Sequence, residues 1–285
     1  MRAAIERLIR RLTDGADRVA TRGDRLVRGP GVRRAWLVVG CMATVPILGI
    51  GLVQAASILA HEEHTEVATV DARDLSGVIV DNGAGSVSVV GVDDARSVTV
   101  HARVSEGLRA TGHEISSRDG HLVVRGSCPL FGSEWCGVDY TIEVPEDLGV
   151  DVDARGGVTI SDTSGGVDAR SRSHVELVRV GGEVSASANH GRVEGRELSA
   201  DRVVAGADHG LVVLEFLTSP QAIDVEADHG TVDIVLPYEE DVFYAPPDTQ
   251  ADQGTVSDRI NQDPRSDRTI AAKADHGNIT IRYAG

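Results

Sequence analysis

One tetrapeptide returns five times in the second half of this chain: Ala188-Asn189-His190-Gly191, Ala207-Asp208-His209-Gly210, Ala227-Asp228-His229-Gly230, Ala251-Asp252-Gln253-Gly254 and Ala274-Asp275-His276-Gly277. The glycines lie 19, 20, 24 and 23 residues apart. Recurrence on that period marks a stacked repeat, in which a small supersecondary unit buries its apolar face only against its own copies.

The flanks of the tetrapeptide carry the stronger signal. Around Asp228 the positions five, three and one before it are Ile223, Val225 and Ala227, and those four, six and eight after it are Val232, Ile234 and Leu236. The units at Asp208 and Asp275 are apolar at the same six offsets. Alternation on a period of two places those six side chains on one face of two successive strands. Each unit therefore reads as strand, Asp-His-Gly corner, strand. The unit at Asn189 fails at Gly195 and Glu197, and the unit at Asp252 has Pro247, Thr249 and Asp258 in apolar slots. Gly156-Gly157, Gly165-Gly166 and Gly181-Gly182 resemble shorter corners, so the repeat is expected to begin near Val150. Further upstream, runs such as Gly77-Val78-Ile79-Val80 and Tyr140-Thr141-Ile142-Glu143-Val144 also read as strands. The expected fold is all-β: a β-solenoid or flattened β-roll of two-strand repeats, preceded by one transmembrane helix. Aromatic residues make up only 3% of the chain, so the interior must be aliphatic, as thin stacked sheets prefer.

The charge is divided along the chain. Residues 1–34 hold ten Arg against four acids, residues 35–60 hold no charge, and the remainder is net −22. So acidic a surface repels nucleic-acid phosphates, which demand basic patches, and excludes that class of partner. The 25-residue uncharged run Trp36–Ala60 has the length of a bilayer span. Arg33 and Arg34 before it and Glu62, Glu63 and Glu66 after it place the N-terminus in the cytoplasm and the C-terminal part outside. A cleaved signal peptide is the rival reading, against which stand the length of the run and the basic lead before it. In that lead Ile5, Leu8, Ile9, Leu12, Ala16 and Val19 fall at helical spacing between arginines, as in an amphipathic helix on an anionic leaflet or a plain anchor helix. The domains are thus 1–34, a basic cytoplasmic segment; 35–60, the membrane helix; 61–76, a connector; and 77–285, the exported β-solenoid-like domain. Cys128 and Cys136 lie in the exported part, where paired thiols oxidise, and are expected as a disulfide. A zinc site there would lack two further ligands.

The short Gly-Val-x-Val strands, the export anchor, the Cys-containing loop leading into Val-Asp-Tyr-Thr-Ile-Glu-Val-Pro (138–145) and the Gly-rich corners together resemble the bacterial "putative adhesin" cell-envelope family over residues 70–285. The resemblance implies a surface role and supplies no catalytic residue. The regular histidines depart from that pattern.

If the units stack in register, Asp208, Asp228, Asp252 and Asp275 form one column and His209, His229 and His276 another. Carboxylates about 4.8 Å apart repel, and a cation would offset the cost. Imidazoles suit zinc or nickel, and carboxylates suit calcium. The same residues also suit a polar corner, and Gln253 and Asn189 interrupt the two columns. No metal, cofactor or catalytic residue is assigned; the corner ladder stands as the candidate. No G-x-S-x-G, P-loop, dinucleotide fingerprint or H-E-x-x-H occurs, so an enzyme is not expected, a polysaccharide-active one being the residual alternative. The expected role is a single-pass, membrane-anchored envelope protein whose exported domain is a binding or structural module for cell-wall polymer or another envelope protein. The alternative is envelope-stress or ligand sensing relayed through residues 1–34.

Overall fold

The computed structural model describes residues 61–107, 109–129 and 135–285. The expected cytoplasmic segment 1–34 and membrane helix 35–60 lie outside the described residues. Among those described, no helix is long and apolar enough to cross a membrane.

The described chain is all-β. In chain order it forms β1 (Glu62–Asp71), β2 (Gly77–Asn82), β3 (Val87–Val92), β4 (Ser97–Glu106), β5 (Gly112–Arg118), β6 (His121–Ser127), β7 (Gly137–Pro145), β8 (Gly149–Ala154) and β9 (Val158–Ser161). There follow β10 (Val167–Ser171), β11 (Val175–Val178), the long β12 (Gly181–Phe216), β13 (Ala222–Leu236), β14 (Asp248–Gln253), β15 (Val256–Arg259), β16 (Thr269–His276) and β17 (Ile279–Tyr283). All 17 hydrogen-bond into one sheet.

Two parallel ladders run through that sheet. In the first, β6, β2, β8, β10, β12, β13, β16 and β14 lie side by side in that order. In the second the order is β7, β3, β9, β11, β12, β13, β17 and β15. A rung is one pass through both ladders, such as β8 followed by β9. The long β12 supplies two rungs: Val184 and Val193 register with β10 and β11, while Val203 and Val212 register with Ile223 and Val232 of β13. Nine rungs result, and all but the outermost, β14–β15, bury alternate side chains inward.

The alternation makes the core. Val150, Val152, Val167, Ala169, Val184, Ala186, Val203, Ala205, Ile223, Val225, Ile270 and Ala272 are buried along the first ladder, and Val158, Ile160, Val175, Leu177, Val212, Leu214, Val232, Ile234, Ile279 and Ile281 along the second. The two slots in which the unit at Asn189 breaks the pattern have a physical explanation. A side chain at Gly195 would collide with Leu198, which is fully buried and fills that space from two positions beyond the segment of β12 that pairs with β11. Glu197 turns outward with φ 54°. Asp162 and Arg179 take the same left-handed conformation at φ 59° and 54°, and Arg179 pairs with Asp162 at 2.6 Å and with Glu197 at 3.9 Å. That edge of the rungs is a charged column of left-handed residues.

The stack departs from chain order at both ends. At the first end, the rung β6–β7 lies outside the earlier rung β2–β3. It is covered in turn by β5 and β4, which pair antiparallel to β6 and β7, and β1 pairs antiparallel to β4. At the other end, β16–β17 follows β13 directly, and the earlier β14–β15 is outermost. Two sequence expectations are corrected here. Residues 61–76 are not simply a connector, because Glu62–Asp71 forms β1; its side chains are exposed along nearly its whole length, which hides the alternation. The repeat begins not near Val150 but with the rungs containing Gly77 and His121. The expected disulfide forms between Cys128 and Cys136, with Cα atoms 5.8 Å apart.

Candidate functional site

The tetrapeptide corners align along one edge of the stack, and their glycines fix the alignment. A Cβ at Gly210 would collide with the carbonyl oxygen of Gly191, one at Gly230 with that of Gly210, one at Gly277 with that of Gly230, and one at Gly254 with that of Gly277. Each corner thus lies directly on the carbonyl of the one before, an approach only a residue without a side chain permits. Gly191 completes the series against the carbonyl of Ser173. The sequence of contacts runs 173, 191, 210, 230, 277, 254.

That order decides what the histidines do. His209 registers with His229, and His229 with His276. The rings of His190 and His209 stack with centroids 5.6 Å apart and planes 12° apart; His209 and His229 follow at 4.9 Å and 4°, and His229 and His276 at 4.7 Å and 3°. Four exposed imidazoles therefore form one uninterrupted row. Gln253 registers with His276 on the outermost rung, so it ends the row instead of breaking it. His190 is the residue that sequence reasoning left out of the column. Its tetrapeptide carries the same histidine and glycine, with Asn189 in the Asp position.

The carboxylates behave differently. Asp208 and Asp228 fall between registered pairs, since Ala207 pairs with Ala227 and the next pair is His209 with His229. Asp228 and Asp275 are skipped in the same way. Two of the four have partners of their own: Lys273 Nζ lies 3.7 Å from Asp275 and donates to Glu226 at 2.8 Å, and Gln250 Nε2 donates to Asp252 at 2.9 Å. Among the described residues no three His, Cys, Asp or Glu side chains converge as a ready-made metal cage.

Beyond His190 the corner shortens from Asn189-His190-Gly191-Arg192 to Arg172-Ser173-His174. The step leaves an open cleft of about 450 Å³ lined by His174, His190, Glu176, Arg192, Glu194 and Arg196. Its charges are mutually paired: Arg196 bonds Glu194 at 2.5 Å and Glu176 at 3.2 Å, and Arg192 reaches Glu194 at 3.4 Å.

On the outward side of the first ladder, Asp151 faces Asp168 in register. Burial raises the Asp151 pKa, and the neighbouring Asp168 carboxylate raises it further, against a partial offset from Arg170. On the outermost rung Asp258 occupies the slot that Ile281 fills on its neighbour. Burial raises its pKa as well, and Gln262 Nε2 donates to it at 2.5 Å.

No protein-family profile matches the chain, and no curated protein matches it. Solved structures do show a likeness. A "putative adhesin" from Bacteroides fragilis is 13% identical, with a TM-score of 0.38 over 78% of this chain and 97% of that one. A "putative cell adhesion protein" from Clostridium sporogenes is 13% identical, with a TM-score of 0.36 over 78% and 100%. A "Putative lipid binding protein" from Parabacteroides distasonis is 9% identical, with a TM-score of 0.36 over 78% and 97%. Scores this low do not bear on what the chain does.

Proposed function

We propose that residues 61–285 are a binding or structural module of the cell envelope, adhesin-like in role, built as a flattened β-roll whose two parallel ladders are its broad faces. The observation that carries this reading is the nine-rung stack. At about 4.8 Å per rung it presents faces roughly 40 Å long, and extended surfaces of this kind serve repeat proteins as contact platforms. The charge agrees with a partner that is neither nucleic acid nor anionic lipid. Cell-wall polymer or another envelope protein fits, and the proposal assigns no reaction. In this reading residues 36–60 hold the module to the membrane, with residues 1–34 inside the cell.

The test is co-sedimentation of the chain with isolated cell-wall polymer and with envelope fractions, repeated for S185R/G206R, which alters the outward side of the first ladder. Wild-type binding that the double substitution removes while the melting temperature holds supports the proposal. Absence of binding to every fraction contradicts it. Deleting residues 1–34 separates the module from a sensor: a module keeps its binding and a sensor loses its output.

A further inference from the structure

The imidazole row differs from the hydrogen-bonded histidines of the domain. His113 bonds Glu66 at 2.7 Å, and His121 contacts Ser76 at 3.3 Å and the Asp119 carbonyl at 3.1 Å. Among the described residues His190, His209, His229 and His276 have only one another, as stacked rings 4.7–5.6 Å apart. A polar corner requires no such uniformity. The ring is present on each of four successive rungs and gives way to Gln253 on the last, which has a histidine on one side only.

We propose that the row binds divalent cations that prefer imidazole, namely zinc, nickel or copper, each held between histidines of neighbouring rungs. The spacing is set by the backbone ladder, and the rings are exposed and free to tilt. Metal–nitrogen bonds of about 2.0–2.1 Å bring two ligating nitrogens closer together than the present ring spacing, so a small rotation of each side chain closes a pair on one ion. Water completes the coordination. Neutral imidazole is a ligand for this class of metal, whereas calcium, which demands oxygen ligands, is not expected to bind the row. The carboxylates one residue before three of the rings, Asp208, Asp228 and Asp275, add negative potential at the same edge. Lys273 offsets part of that potential at Asp275.

The test is calorimetric titration of zinc and nickel chloride into the full, untagged chain near neutral pH, beside H209Q/H229Q, which leaves His190 and His276 three rungs apart. Saturable binding in the wild type, its loss in the double variant and its retention in H174Q are expected. Absence of saturable binding in the wild type, or binding unchanged in the double variant, overturns the proposal. A spectroscopic reading on the wild type alone guards against a variant that fails to fold. Copper(II) bound to the row should show hyperfine coupling to nitrogens of two imidazoles, and coupling to one or none contradicts the inter-rung site.

Discussion

At the scale of the residue, the corner glycines are the most constrained positions in the domain. Gly230 lies between the carbonyl of Gly210, which its own Cβ would strike, and a Cβ position at Gly277 that its carbonyl blocks. Gly230→Ala forces two rungs apart, and a cost of about 1–3 kcal/mol is expected, read as a lower midpoint in urea. The conservation of backbone approach explains why the glycine recurs in all five tetrapeptides while the residue before it does not. Asp151 presents the opposite case, a side chain that costs stability. Its folded pKa is raised, so the folded state binds a proton more readily than the unfolded chain. Asp151 therefore penalises the fold at neutral pH, and the penalty disappears as the pH falls below the ordinary carboxylate value of about 3.9. Asp151→Asn should raise the melting temperature at pH 7 and leave it unchanged at pH 3.

At the scale of the element, the rung is the unit that the sequence displays most clearly. The six apolar offsets around Asp208, Asp228 and Asp275 are buried as the alternation implies, from Val203 to Phe216 and from Ile223 to Leu236; in the third unit Tyr283 is only partly buried. The imperfect unit at Asn189 could not be read in the same way, because Leu198 reaches back to cover Gly195 from outside the alternating register. Leu198→Ala opens that space and is expected to cost about 2–5 kcal/mol by chemical denaturation. The strand β1 was hidden for a different reason. It is an exposed edge paired only to β4, so no buried face writes a pattern into Glu62–Asp71. The glycine pairs at 156, 165 and 181 looked alike in sequence. In the structure Gly156 packs on Gly85 at the corner within a rung, and Gly165 packs on Leu148 where one rung leads to the next.

At the scale of the whole domain, the order of the stack carries information that the chain order conceals. Period and alternation say that units stack; they do not say which unit neighbours which, because a strand can be placed anywhere along an open ladder edge. The chain uses that freedom twice, putting β6–β7 outside β2–β3 and β14–β15 outside β16–β17. The outermost rung is the polar one, with Thr249 and Asp258 in interior slots and Val256 exposed. A polar last rung suits the end of a repeat stack, which must meet water instead of another copy. The same exchange brings His276 against His229 and makes the histidine row continuous.

The most direct measurement of this arrangement is cysteine cross-linking at outward positions, in a chain lacking Cys41. Asp233 registers with Thr280, and Thr280 with Ser257. Neighbouring rungs are within the Cα separation that a disulfide spans, about 4.4–6.8 Å, and rungs once removed are not. D233C/T280C should therefore oxidise to an intramolecular disulfide and D233C/S257C should remain reduced; the reverse result would show the rungs stacked in chain order and contradict the account.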